Sequence, residues 1–260
     1  MADRASLDQA KLEAAVGTRV LAELGLASGI RASLGHTSMR VPGDPNLFAV
    51  KGRGYRVDVL ERMRPEDMVI CDLDGNWVDG PPYSVQCSEI KIHSCILRSR
   101  PDVVSVTHVH PDYMVLLSVF GKTLVPLAQE GANLVLKPLP VMNQTKIIES
   151  EEEGQQVADL LADGDAMLLL GHGAVTASAR SVEASVMAMA QLEHQARLNY
   201  LAMAAGGLEH PSIPLDLAAA VSTANPGAQP HIKARLDNIP GGRRPEGIWD
   251  FYRQVVSSNM

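Results

Sequence analysis

The amino-acid sequence predicts an α/β fold of three layers, α/β/α, around a central sheet that is at least partly antiparallel. Three observations lead there. Short β-branched runs, such as Val103, Val104 and Val106, are interspersed with stretches of helical periodicity. Asp74-Gly75 lies between two extended runs, the signature of a primed-turn hairpin and therefore of antiparallel neighbours. The 260 residues are 46% hydrophobic, enough for a substantial core.

The elements follow in order. Ser6-x-x-Gln9 resembles a capping box, and Leu12, Val16, Val20 and Leu24 recur at four-residue spacing, predicting an amphipathic helix that ends near Gly25 or Gly29. Residues 37–41 and 47–50 read as short strands around Pro42-Gly43-Asp44-Pro45, and 68–73 with 76–78 form the hairpin. Ile90, Ile92, His93, Ile96 and Leu97 place a helix over 88–98, where Glu89 and His93 share a face. A buried strand runs from Val103 to the His108-Val109-His110 end and stops at Pro111. A helix over 112–120, extended pieces at 124–127 and 139–142, a helix over 151–161 and a strand over 166–170 come next. Ser181 caps a long helix to about Ala204 whose Met187, Met189, Leu192 and Leu198 are core residues. Between Gly206 and Pro245 prolines and glycines recur without periodicity, predicting a chain that wraps over the surface, with a short helix over 247–256. Residues 1–260 are read as one domain, with 206–260 as its wrapping tail.

The net charge of −7 and the absence of a lysine-arginine run argue against nucleic-acid or anionic-membrane partners. A small anionic substrate would need local positive charge. Cys71, Cys87 and Cys95 are odd in number and form no C-x-x-C pair, which suits a reducing compartment. The polar N-terminus has no apolar signal core, and no segment reaches membrane-span length. A cytoplasmic protein is expected.

Side chains two apart on a strand share a face, so His108 and His110 project together at the strand end. Two such imidazoles can simply hydrogen-bond in a core, or they can form half of a metal site. The metal reading gains from His172, set between two glycines after an apolar run, and from Glu89 at a helix start. His93 is a core or supporting histidine, because three imidazoles are already available.

Several segments together resemble the class II aldolase/adducin family over about residues 12–201: Gly35-His36-Thr37-Ser38-Met39-Arg40, Met63-Arg64-Pro65-Glu66-Asp67-Met68-Val69, Ser88-Glu89-x-x-x-His93, Thr107-His108-Val109-His110-Pro111 and Leu168-Leu169-Leu170-Gly171-His172-Gly173. The resemblance implies a class II aldolase-like fold with a mostly antiparallel sheet. It implies one divalent metal held by His108, His110 and His172, with Glu89 as ligand, acid/base or both. Mn²⁺ is favoured over Zn²⁺ and Fe²⁺ because a carboxylate and open oxygen-binding positions suit a harder ion. A ring-shaped homotetramer with sites near subunit interfaces is also implied.

Departures from the sugar-phosphate aldolases narrow the expected chemistry. Val50-Lys51-Gly52-Arg53-Gly54-Tyr55 stands where those enzymes have a hydroxyl-rich phosphate loop, and His36 stands where they have asparagine. Both features look like the branch that decarboxylates hydroxylated aromatic or pyridine dicarboxylates. The expected catalytic residues are therefore Glu89, His36 and Arg53. Arg53, Ser88, Arg244 and Tyr252 are expected to bind substrate, with Arg243 and Trp249 nearby in the tail. The alternatives are a retro-aldolase or epimerase acting on a non-phosphorylated sugar acid, and a non-catalytic adducin-like assembly module.

Overall fold

The computed structural model describes residues 2–54, 58–223, 234, 238, 247–258 and 260. Helix α1 (Arg4–Glu23) starts one turn earlier than the Ser6 box implies, because the Asp3 carboxylate accepts from the Ser6 N–H and makes Asp3 the cap. Strands β1 (Gly35–Arg40) and β2 (Leu47–Arg53) form an antiparallel pair whose connection turns at Gly43, with φ +79°. In the hairpin of β3 (Met68–Asp72) and β4 (Trp77–Asp79), the Asp72 carboxylate accepts from the N–H groups of Asp74 and Asn76. The short β5 (Val85–Gln86) pairs with β2.

Helix α2 (Ile90–Ser99) leads into β6 (Ser105–Val109), and α3 (Asp112–Phe120) leaves it. After β7 (Val141–Met142), the Ser150–Glu153 capping box starts α4 (Glu151–Leu161), followed by β8 (Ala166–Leu169), β9 (Gly173–Ser178) and α5 (Val182–Gly206). Among the described residues the sheet has nine strands in the order β4-β3-β2-β1-β6-β9-β8-β7, with β5 beside β2. Every pairing is antiparallel except β7 with β8. Helices α1, α3 and α5 cover one face and α2 and α4 the other, each over its own apolar cluster. The sheet is therefore the middle of three layers.

Three local expectations give way to tertiary context. Residues 124–127 form no strand, because their backbone is held by side chains of α5: Asn199 pairs with the N–H and C=O of Val125, and Gln195 accepts from Leu127 N. Strand β9 was not anticipated. Its residues are small and buried on both faces, so no alternation marks it. In the tail, α6 (Leu215–Thr223) is helical and α7 (Ile248–Ser257) docks on α1, burying Trp249 and Val256. The rest of the expected wrapping stretch, including Arg243 and Arg244, lies outside the described residues. Among the described residues no helix is long and apolar enough to cross a membrane.

Candidate metal centre

The sheet register builds the site. Antiparallel pairing of β1 with β6 sets His36 directly opposite His108, and β9 flanks β6 on the other side. His110 lies just beyond the end of β6, where Arg31 donates to the His110 carbonyl at 2.6 Å and pairs with Asp112 at 2.7 Å. Glu193 of α5 accepts from the Tyr113 and Met114 N–H groups, both at 3.0 Å, and so fixes the first turn of α3 behind the histidines.

His172 occupies the β8–β9 turn. Gly171 takes φ +61°, and Gly173 is pressed so closely against β6 that a Cβ there would sit 2.6 Å from the Val109 carbonyl oxygen and 2.9 Å from the His110 ring. Gly173→Ala is therefore expected to push β9 away from the histidines and lower metal affinity by about tenfold or more, the scale seen when groups supporting a metal ligand are lost. Metal titration of the purified variant checks this.

Glu89 stands at the N-cap position of α2 but makes no capping hydrogen bond. Its side chain turns inward instead. Oε2 lies 3.1 Å from His108 Nε2 and 4.0 Å from His36 Nε2, while Oε1 lies 3.3 Å from His172 Nε2 and accepts from the Ile148 N–H at 3.1 Å. Burial alone would raise this carboxyl, but the charge and contacts of His108, with those of His172 and His36, hold it below the usual carboxylate range. Burial lowers His110 to about 3, helped by His108 and His172 and opposed by Glu89, so this imidazole is neutral and able to ligate.

The donor atoms of Glu89, His108, His110 and His172 all lie within 4.8 Å of one another. A divalent cation fits them better than hydrogen bonding does. The His108 Nδ1–H donates to Ala174 O at 2.9 Å, so in the neutral ring the Nε2 lone pair faces a carboxylate oxygen at 3.1 Å. Two acceptors at that distance repel unless a cation lies between them. His110 Nε2, 3.0 Å from His108 Nε2, adds a third donor atom to the same point. His172 meets Glu89 through Nε2 at 3.3 Å, while its buried Nδ1 has no hydrogen-bond partner among the described residues.

His36, Glu89, His110 and His172 line one cleft with Arg53 and Lys51. Arg53 donates to Ser88 Oγ at 2.6 Å and to Asp58 at 2.8 Å, which brings two of the expected substrate residues together. Tyr252 is not brought to this cleft. It is partly buried against the core on the α1 side, next to Phe251. Arg244 lies outside the described residues. His93 is fully buried behind His36, as a supporting histidine should be. Sequence reasoning passed over Lys51, which is 1% exposed and bonded to Ser33 O at 2.8 Å and Asp58 Oδ1 at 2.5 Å. A lysine inside an otherwise apolar strand was the available signal. Cys87 also lines the cleft, but burial pushes its thiol up to about 12, which excludes a ready nucleophile.

Residues 13–200 match the class II aldolase and adducin N-terminal domain. The chain is 31% identical over 211 residues to the 3,4-dihydroxyphthalate decarboxylase of Rhodococcus jostii (strain RHA1), covering 77% of this chain and 83% of that protein. It is 32% identical over 202 residues to the enzyme of the same name from Arthrobacter keyseri, covering 74% and 78%. Among solved structures, an aldolase II superfamily protein from Pseudomonas syringae superposes with a TM-score of 0.76 at 23% identity, covering 97% of this chain and 94% of that one. The fold is thus the class II aldolase α/β fold, and the chain belongs to the class II aldolase and adducin family.

Proposed function

We propose that this protein is a metal-dependent carbon–carbon lyase, a decarboxylase of an ortho-hydroxylated aromatic or pyridine carboxylate, with a dicarboxylate preferred. One observation carries the choice of substrate: Lys51 and Arg53 share the single carboxylate of Asp58 at the wall of the cleft. Two cations on one anion leave a net positive charge beside the candidate metal centre, inside a protein whose overall charge is −7. The two dihydroxyphthalate decarboxylases, similar over about three quarters of the chain, support the same reading.

His108, His110, His172 and Glu89 would hold the ion, with Mn²⁺ favoured. When bound it supplies a Lewis acid for the substrate oxygens and for the electron pair left when carbon dioxide departs. The chain does the rest. Arg53, propped by Asp58 and Ser88, orients a carboxylate through its planar guanidinium. His36 and Glu89 face each other across the cleft and handle protons, one received from a ring hydroxyl and one delivered to the ring carbon that loses its carboxylate. Exposed apolar residues beside the His172 turn, Val119 and Ile147, support a homo-oligomer with sites near subunit interfaces, the homotetramer that the family resemblance implies.

Arg53→Ala should weaken a dicarboxylate by about 1.5–3 kcal/mol, the scale of a charged hydrogen bond, while leaving the matching monocarboxylate nearly unchanged. Comparing KM for the two substrates checks this; equal losses would put Arg53 in the chemistry, and no loss would return it to the surface. The reading as a whole is tested by carbon dioxide release from a panel of ortho-hydroxy aromatic acids. Aldehyde release from a sugar acid without carbon dioxide would instead favour the retro-aldol reaction.

A further inference from the structure

Lys51 and Arg53 stand two apart on β2, so both side chains leave the same face of the strand. They reach different depths. Lys51 is 1% exposed, whereas the Arg53 side chain is 40% exposed. The backbone between them is held from both sides, since β5 pairs with β2 at Gly52 and Arg53, and a Cβ on Gly52 would sit 2.6 Å from the Asp67 carbonyl oxygen. Just past β5 comes Ser88, whose Oγ accepts from Arg53 Nη1.

A lysine ammonium has three protons to give and no lone pair to offer. Around that of Lys51 stand three oxygens of the protein: Ser33 O at 2.8 Å, Asp58 Oδ1 at 2.5 Å and Asp58 O at 3.4 Å. No proton is left for a substrate. Arg53 is placed differently. Its Nε donates to Asp58 Oδ2 at 2.8 Å and its Nη1 to Ser88, while Nη2 has no partner among the described residues. Asp58 thus holds the two cations through separate oxygens. With Arg53 alone, the carboxylate would cancel the charge that an anionic ligand needs; with Lys51 present, the guanidinium keeps it. Ser33 stands two residues before β1, the strand of His36, so the ammonium also ties that wall of the cleft to the arginine.

We infer that Lys51 is a positioning residue for substrate selection: it does not touch the ligand but, through Asp58, aims Arg53 at the second carboxylate of an aromatic dicarboxylate and keeps its charge available. The dicarboxylate half of this statement rests on the proposed function; the coupling of Lys51 to Arg53 does not. A residue that acts through another differs from one that adds only positive field. Lys51→Met should matter only while Arg53 is present. Asp58→Asn removes a negative charge, yet it should weaken a dicarboxylate rather than tighten it, because the arginine loses its prop. A monocarboxylate offers Arg53 no second group and should be affected by neither change.

The zinc-loaded protein and its Lys51→Met, Asp58→Asn, Arg53→Ala and combined Lys51→Met, Arg53→Ala variants are titrated calorimetrically with 3-hydroxyphthalate and with salicylate, which lacks the second carboxylate. Lys51→Met and Asp58→Asn should each weaken 3-hydroxyphthalate roughly tenfold, within the range for residues coupled in one charged network, and salicylate less than about twofold. In the Arg53→Ala background, Lys51→Met should add less than about twofold. A second readout needs no ligand. The Arg53 Nε–H signal in a ¹⁵N spectrum, identified by its loss in Arg53→Ala, should exchange with water at least roughly tenfold faster in Lys51→Met, with circular dichroism unchanged. Equal losses in both backgrounds, an equal loss for salicylate, or an unchanged Arg53 Nε–H in folded Lys51→Met would overturn the inference. Tighter binding of 3-hydroxyphthalate by Asp58→Asn would overturn it too, and that variant decides the matter if Lys51→Met does not fold. If the wild type binds neither acid, the substrate proposal fails, and the Arg53 signal still decides the coupling.

Discussion

His108→Ala should yield a folded protein that retains less than about a tenth of the wild-type metal and turns over at least roughly a thousandfold more slowly, since a bound ion supplies several kcal/mol of charge stabilisation and each 1.36 kcal/mol is tenfold. The expectation follows from where the ring stands. Its Nδ1–H is anchored to Ala174 O in β9, and its Nε2 meets Glu89 and His110 at 3.1 and 3.0 Å, so no neighbouring side chain can take its place. The fold should survive. Removing the ring exposes one backbone acceptor, a cost of about 1–3 kcal/mol. Elemental analysis of the purified variant, with circular dichroism as the control for folding, checks both halves. Stoichiometric metal in His108→Ala would remove the assignment.

Glu89→Gln should lower turnover by about 10²- to 10⁴-fold, the usual worth of a general acid or base, while substrate affinity changes little. The amide keeps an oxygen for the Ile148 N–H, so the loop it ties down should stay in place. Its other end gains a donor. The amide at 3.1 Å from His108 Nε2 carries no charge for an ion held there. The variant should therefore gain less stability on metal addition than the wild type. Single-turnover kinetics beside melting curves with and without metal checks the prediction. Near-normal turnover with metal bound would reduce Glu89 to a structural role.

Much of this arrangement was legible because its signals are local. The His108-x-His110 pair needs only strand periodicity, His172 only a glycine turn, and the three-layer fold only alternating runs with one Asp-Gly hairpin. What escaped depends on partners distant in sequence. Strand β9 carries small residues because α5 and neighbouring strands close over it, with Ser185 bonded to Thr107 and Thr176. Residues 124–127 look extended but are stitched to Asn199 and Gln195, more than sixty positions away. Tyr252 drew a substrate role because it is an aromatic in a tail. Yet Trp249, Tyr252 and Val256 are spaced i, i+3 and i+7, which is the apolar stripe of a helix lying on α1. Periodicity was the better guide there. Lys51 escaped for the opposite reason, since it breaks the apolar pattern of β2 and such a break marks a charge with buried partners.

The metal centre and the loss of carbon dioxide are tested together by one measurement. The purified protein, stripped with a chelator and titrated with Mn²⁺, is assayed for carbon dioxide released from an ortho-hydroxy aromatic dicarboxylate. Release should be absent without metal, rise with Mn²⁺ to saturation near one ion per chain, and remain absent in His108→Ala at every concentration. Carbon dioxide released at full rate by the stripped protein, or by His108→Ala, would contradict the account.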